Sequence, residues 1–396
     1  MIYLIIEGRI VMKKIIKYMD KPLLIVSVLL FIIGLIMVFS ASNVTAYMSH
    51  AVSPYNYFIK QGVFLLGGLI IALIMICFPL KSYSSFSKGL MLIGLITLAL
   101  LPVFGTEVNN AKSWYDLKVF SLQPSEFIKV ITIVWLASYY DKNSKKLDQY
   151  IPSLIPLAIA AIAAVLMFIQ PDLGTTIIYV GITFCVFWIS PVKKELKYKT
   201  VFGVIGFAIC ACIILFSTGK TLLLDRQLER ITEFRNPCDK LLSSGNQVCN
   251  SYIAINNGGL TGAGLGNSTQ KYLYLPEPYT DFIFAIIVEE LGLIIGIGII
   301  LAYIFILYRI LKIGRESYTN KGAMICFGIA VYIFIHIAVN LLGLFGLMPM
   351  TGVPLPFMSY GGSFTICLIA ALTIVQRINI ENRITKERQL SKSRSR

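Results

Sequence analysis

The chain has 396 residues, of which 57% are hydrophobic and only 14% charged, and it carries a formal net charge of +15. Soluble domains carry roughly 25% charged residues, and the mean hydropathy of +0.77 points the same way, so an ordinary soluble protein is excluded and an integral membrane protein is expected. The excess of Lys and Arg is read as a topology signal, not as a nucleic-acid-binding surface, because it is concentrated beside the apolar runs.

The N-terminal segment, residues 1–21, holds Arg9, Lys13, Lys14, Lys17 and Lys21. MKKIIKYMDKP starts at Met12, so residues 1–11 are either an upstream extension or a short interfacial segment. Ten apolar runs follow, near residues 22–41, 62–80, 88–105, 124–140, 151–170, 173–190, 200–218, 281–310, 323–347 and 358–376. Each approaches the ~20 residues needed to cross a bilayer as a helix. The fifth and sixth are separated only by Gln170, Pro171 and Asp172, either a tight turn between two spans or a kink in one broken helix. The first run has no small-residue cleavage pattern behind it and is expected to remain as an anchor.

The expected fold is therefore an all-α polytopic membrane protein of about ten transmembrane helices over residues 22–376, followed by a basic tail over 377–396. Lys142, Lys145 and Lys146, then Lys193, Lys194, Lys197 and Lys199, then Arg309, Lys312, Arg315 and Lys321 fall in alternate loops, and seven more cations run from Arg377 to Arg396. Ten spans put all of these on one side with both termini, and cations are retained on the cytoplasmic side. The long loop between helices seven and eight, about residues 219–280, is then extracellular.

Six cysteines, Cys77, Cys185, Cys210, Cys212, Cys326 and Cys367, fall in spans, where Cys acts as a small hydrophobe. Cys238 and Cys249 lie in the outer loop, in a disulfide-permitting compartment; they are a disulfide candidate, with free thiols as the alternative. His50 and His336 stand far apart with no motif around them, and no zinc pattern exists.

Five outer segments carry the polar signals. LQPSEFIKV, residues 122–130, opens the fourth span with Pro124 suited to a first turn and with Glu126 and Lys129 at i, i+3, either a structural ion pair or a charged cavity wall. DRQLERITEFRNP, residues 225–237, places Arg226 and Arg230 four apart, suited to an anionic headgroup or to pairing with nearby acids. NNGGLTGAGLGNS, residues 256–268, lacks the strand and the GKS or GKT of a phosphate-binding loop; turns needing positive φ and amide contact with a pyrophosphate both remain open. YLYLPEPYTDFIFAIIVEELG, residues 272–292, runs a proline-bearing loop into a helix with Asp281, Glu289 and Glu290. Carboxylates at bilayer depth are costly and usually functional. GLMPMTGVPLPFMSYGGSF, residues 346–364, has irregular punctuation expected to line the same cavity.

Together these motifs resemble the SEDS family of bacterial membrane proteins, which has a division branch (FtsW) and an elongation branch (RodA). The resemblance rests on IGLIMVFSAS in the first span, QPSEFIK, QPDLGT (170–175), the Arg230, Phe234 and Pro237 pattern, QVCNSYIAINNGGLTGAGLGNSTQK, LPEPYTDFIFAIIVEELG and GVPLPFMSYGGS. GLGNSTQKYLYLPEP and PMTGVPLPFMSYGGS look closer to the division branch. The resemblance implies a peptidoglycan glycosyltransferase in the plasma membrane, at the division septum, polymerising lipid II with a class B penicillin-binding protein and other division proteins. It implies Asp281 as the catalytic residue, with Lys129 and Glu126 in the same cavity. The candidate substrate-binding set is Gln123, Ser125, Arg226, Arg230, Glu277, Thr280 and Ser359.

Three positions depart from the family. The segment NNAKSW has Asn110 for a glycine and Ser113 for an arginine, with Lys112 as the neighbouring cation, and Tyr279 replaces the histidine that commonly precedes the Thr280–Asp281 pair. Asp281 fits a general base or, alternatively, a ligand for Mg²⁺ or Mn²⁺; no organic cofactor is implied. Glu289 and Glu290 are expected to brace the bundle, with lipid handling as the alternative. The competing functions are a lipid II flippase, an elongation-type polymerase and a noncatalytic scaffold.

Overall fold

The computed structural model describes residues 13–48, 52–108, 111–118, 120–218, 238, 244–275 and 277–394. In chain order the helices are α1 (Lys21–Met48), α2 (Asn56–Met75), α3 (Leu80–Phe104), α4 (Pro124–Lys142), α5 (Tyr150–Ile169), α6 (Leu173–Ile189), α7 (Lys194–Thr218), α8 (Ser244–Gly258), α9 (Ile283–Leu291), α10 (Leu293–Arg315), α11 (Asn320–Leu344) and α12 (Gly362–Arg394). Among the described residues, seven of them (α1, α2, α3, α5, α10, α11 and α12) are long and apolar enough to cross a membrane. With α4, α6 and α7 beside them, and α9 and α10 sharing one span, they form a multi-pass membrane bundle.

The bundle is layered by polarity in a way that only lipid explains. α4 and α11 form its interior, with Ile128, Ile133, Leu136, Ile325, Ile329 and Ile333 fully buried. The outer helices instead turn their apolar residues outward, as at Val63, Leu66, Ile70 and Ile74 of α2. In hydrocarbon those side chains lose nothing by exposure, and every backbone group must find its partner inside the protein.

A small antiparallel sheet interrupts the helices between α3 and α4, an element with no counterpart in the ten-span reading. It comprises β1 (Thr106–Val108), β2 (Ala111–Asp116) and β3 (Ser121–Leu122), in the order β1-β2-β3. Thr106 pairs with Trp114 and Tyr115 with Leu122. Tyr115 Oη donates to the Thr97 carbonyl of α3 at 2.7 Å, which anchors the sheet to the bundle. The sheet delivers the chain to Gln123, and so aims the start of α4.

The eighth span, expected as one helix over 281–310, is broken. Gly292 adopts φ +86° between α9 and α10. The glycine-rich loop after α8 folds into the break and satisfies it from both sides. Ala263 and Gly264 donate to the carbonyls of Glu289 and Glu290 at 2.9 and 3.0 Å, while the amides of Leu293 and Ile294 donate to Gly259 and Leu260 at 3.0 and 3.3 Å. These are groups that a helix end would otherwise leave unpaired. The Gly292 and Leu260 backbones pass so close that a Cβ on Gly292 would lie 2.3 Å from the Leu260 oxygen.

Other boundaries move as well. The chain between α5 and α6 turns at Gln170–Asp172, so they are two spans and not one kinked helix. The outer loop is not all loop: α8 runs through its middle, and Cys238 and Cys249 are joined in a disulfide. The last helix does not end at residue 376 but runs on to Arg394, so the basic tail is helical over most of its length. Residues 13–18 are also helical and pack on it through Ile15, Ile76 and Ile380. Nearby, the Asp20 carboxylate accepts from the Leu23 amide at 2.9 Å and pairs with Arg309 of α10, while its backbone N–H and carbonyl exchange two hydrogen bonds with the side chain of Gln376 of α12. The start of α1 is thus fastened to two other helices at one residue.

Replacing Gly292 by Ala combines a strained positive φ with a backbone collision. It should cost about 1–3 kcal/mol, seen as a lower melting temperature and lower folded yield in detergent, whereas Gly298→Ala, where no heavy atom lies within 4 Å of the added Cβ, should melt like the wild type.

Candidate functional site

The site is built from the beginnings of α4 and α6, the middle of α11, the entry to α9 and the irregular segment before α12. Pro124 starts α4 and needs no amide partner there. One turn in, Lys129 is 1% exposed and Glu126 3%. Lys129 Nζ lies 2.8 Å from Glu126 Oε1 and 3.1 Å from His336 Nε2 of α11. The Tyr332 ring is 5.9 Å from the ammonium. Burying a lone ammonium would be prohibitive, so this arrangement exists only as a unit.

Asp281 is half-buried just before α9. Its backbone oxygen accepts from Asn340 Nδ2 at 2.9 Å, and the same amide donates to the Val353 carbonyl at 2.8 Å. Asn340 stands four residues after His336 on α11, about 6 Å along the axis and on the same face. One helix therefore fixes Asp281 and the partner of Lys129 in mutual register. Gly352, with φ +72°, presents its bare Cα to the carboxylate: a Cβ there would lie 3.4 Å from Asp281 Oδ2.

The flanking motifs close around this point. Asp172 caps α6, accepting from the Thr175 amide at 3.1 Å and its hydroxyl at 2.7 Å, and also accepts from Gln123 Nε2 at 3.3 Å. Gln123 N donates to Ser363 of α12 at 3.0 Å. Gly174 abuts the next segment so tightly that a Cβ would meet the Thr351 oxygen at 2.9 Å. Ser359 is buried, accepts from the Leu355 amide at 2.8 Å and donates to the Thr280 carbonyl at 2.6 Å. Tyr360 N adds a bond to the Tyr279 carbonyl at 2.9 Å. QPSE, QPDLGT, TDF and GVPLPFMSYGG thus meet at the mouth of one bundle.

Of the residues singled out from the sequence, Asp281, Lys129, Glu126, Gln123, Thr280 and Ser359 converge here. The side chains of Gln123, Thr280 and Ser359 are engaged within the protein, Thr280 with Glu277 Oε2 at 3.1 Å. Ser125 is buried, and its hydroxyl meets no partner among the described residues. Arg226 and Arg230 lie outside the described residues. Tyr279 packs on Tyr57 and Tyr360, with ring centroids 4.5 and 5.8 Å away. Burial holds its phenol well above the usual tyrosine value, so this position supplies no base.

Glu289 and Glu290 do separate work. Glu289 accepts from the Thr269 amide at 3.1 Å, the Thr269 hydroxyl at 2.9 Å and the Ser268 hydroxyl. Glu290 pairs with Lys271 at 3.0 Å and with Ser40 of α1 at 2.6 Å. Gly262, Gly264 and Gly266 all take positive φ, as the turn reading of that loop requires, and the amides of Ala263 and Gly264 are engaged with the α9 carbonyls of Glu289 and Glu290.

His336 and Asn340 were missed as site residues. A signal was present, since both are polar side chains at i, i+4 in an otherwise apolar span, the pattern that marks a functional face in a membrane helix. Asp172 could likewise have been read as a helix cap from its spacing to Thr175. Among the described residues, no group of three or more His, Cys, Asp or Glu side chains could hold a metal ion by itself.

The chain matches the family model FtsW/RodA/SpoVE, described as cell cycle protein, over residues 20–384. It is 37% identical over 385 residues to the probable peptidoglycan glycosyltransferase FtsW of Bacillus subtilis (strain 168), covering 95% of each chain. It is 36% identical over 364 residues to stage V sporulation protein E of the same organism, covering 91% of this chain and 96% of the relative. A solved peptidoglycan synthase complex that coordinates polymerization and crosslinking contains a chain of the same fold, with a TM-score of 0.72, 22% identity, and 92% of this chain and 98% of that one covered. Rod shape determining protein RodA of Thermus thermophilus aligns with a TM-score of 0.65 at 22% identity over 92% and 97% of the two chains.

Removing Lys129 leaves the Glu126 carboxylate buried without its cation. Lys129→Met should destabilise the protein by about 3–5 kcal/mol, read as thermal unfolding in detergent, and Glu126→Gln combined with Lys129→Met should recover part of the loss because no buried charge then remains.

Proposed function

The chain belongs to the cell cycle protein family of FtsW, RodA and SpoVE, and from that membership and the geometry of the site we propose that it is a peptidoglycan glycosyltransferase polymerising lipid II in septal cell-wall synthesis. The observation that carries the assignment to residues is the register on α11: Asn340 holds Asp281 one helical turn from the His336 that holds Lys129.

In this reading Asp281 takes the proton from the acceptor sugar hydroxyl. The freed oxygen attacks the donor's anomeric carbon, the bond from that carbon to the diphosphate oxygen breaks, and undecaprenyl diphosphate leaves with the electron pair. A carboxylate positioned at the reacting hydroxyl is suited to general base catalysis. Lys129 supplies fixed positive charge in a region of low dielectric, where it stabilises developing negative charge far better than in water. Glu126 balances that cation when no substrate is present.

A hard divalent cation, Mg²⁺ or Mn²⁺, fits the donor set at Asp281 only if shared with the substrate, since such ions are commonly held by one or two carboxylates together with phosphates and water. It would supply further charge neutralisation at the diphosphate.

The outward-facing mouth is assigned to the extracellular side of the bacterial plasma membrane, with both termini cytoplasmic. The cationic loops after α4, α6 and α10 support this orientation. A class B penicillin-binding protein as partner, together with other division proteins, is supported by the fold shared with a chain of a peptidoglycan synthase complex. The relatives named FtsW support the division branch over the elongation branch.

Purified protein with its transpeptidase partner and lipid II in detergent should produce glycan polymer. Asp281→Asn should insert, fold and bind the partner normally while polymer falls at least about a hundredfold, the scale of losing a positioned base. Chelation with EDTA reports separately on the cation. Wild-type polymer yield from the mutant, or lipid translocation with no polymer from the wild type, would overturn the assignment.

A further inference from the structure

We infer that His336 is the positioning residue for Lys129, acting as a neutral imidazole whose Nε2 accepts the ammonium. The inference adds to the proposed glycosyltransferase reading a residue that holds the site's cation. The geometry leaves one assignment of protons. His336 Nδ1 lies 2.8 Å from the Tyr332 carbonyl of its own helix. A carbonyl oxygen can only accept, so Nδ1 carries the hydrogen. In the neutral ring Nε2 then has a lone pair, and it faces Lys129 Nζ at 3.1 Å. The ammonium has only donors to offer, so the two are complementary. An imidazolium would instead set two cations against each other in a region from which water is excluded.

The ring is also held in orientation. Tyr332 packs edge-on with its centroid 4.6 Å away, and Phe364 of α12 lies at 5.0 Å. His336 is fully buried, which removes it from bulk solvent. Lys129 is thereby held from two directions, by Glu126 on its own helix and by His336 across the bundle. Glu126 alone, only three residues away on α4, would let the flexible lysine swing with its own helix face. The bond across to α11 ties the ammonium to the helix that also fixes Asp281 through Asn340.

Two measurements test this. In the first, the variants are His336→Gln, His336→Asn and His336→Leu. A glutamine oxygen reaches the place of Nε2, whereas an asparagine amide reaches only the place of Nδ1. His336→Leu and His336→Asn should each lower the polymerisation rate about tenfold or more, the size expected when a hydrogen bond to a charged group is lost, and His336→Gln should recover most of it. Equal activity of all three with the wild type, or a His336→Gln variant as impaired as His336→Leu at equal folded yield, overturns the proposal.

The second measurement needs no activity, so it separates failure of this inference from failure of the proposed function. The chain contains two histidines, and His50→Gln leaves one for ¹⁵N labelling. The remaining imidazole should report the neutral tautomer protonated at Nδ1, with its Nε2 resonance moving on Lys129→Met. An imidazolium at neutral pH, the opposite tautomer, or an Nε2 signal indifferent to Lys129 refutes it.

Discussion

A single ammonium inside hydrocarbon sets the terms for the centre of this bundle. Lys129 cannot be buried alone, because the desolvation cost of a charge at that depth is recovered only by close partners. It therefore requires Glu126 on its own helix and a neutral acceptor on α11. That requirement sets the axial register of α4 against α11, whose buried faces are otherwise rich in isoleucine, as at Ile128, Ile133, Ile325 and Ile329. Once the register is set, Asn340 follows one turn along, and with it the backbone of Asp281 and the carbonyl of Val353.

A second set of buried charges solves a different problem. The span that begins near Asp281 is cut at Gly292, and a cut helix in a membrane exposes unpaired amides and carbonyls. The glycine-rich loop inserts its own backbone into the cut, while Glu289 and Glu290 gather the hydroxyls and amides of residues 268–270 together with Lys271. Ser40 brings α1 into the same cluster. The effect is to hold α9, and so Asp281 at its entrance, in a fixed place without a continuous helix behind it. The three carboxylates of this stretch thus divide cleanly: one faces the mouth, and two tie down the loop that supports it.

The site is also closed by elements that carry no charge. The prolines and glycines of residues 346–364 let the backbone pass close to Asp281 at Gly352 and to α6 at Thr351. Ser359 then fastens the strap to the Thr280 carbonyl. Tyr279 joins an aromatic cluster with Tyr57 and Tyr360, which makes that position part of the wall.

The membrane class, the multi-pass helical architecture and the pairing of Glu126 with Lys129 were legible in the sequence, because these depend on local properties: apolar length and i, i+3 spacing. The sheet before α4 and the helical tail were missed because short polar stretches carry no hydrophobic period to read. Which distant groups meet is settled by packing alone. His336 stands 207 residues from Lys129, and the amides of Ala263 and Gly264 lie some two dozen residues before the carbonyls they satisfy. Those pairings follow from the need to leave no buried charge or backbone group alone. That need is met by whichever residues the packed helices bring within about 3 Å, a distance no linear pattern records.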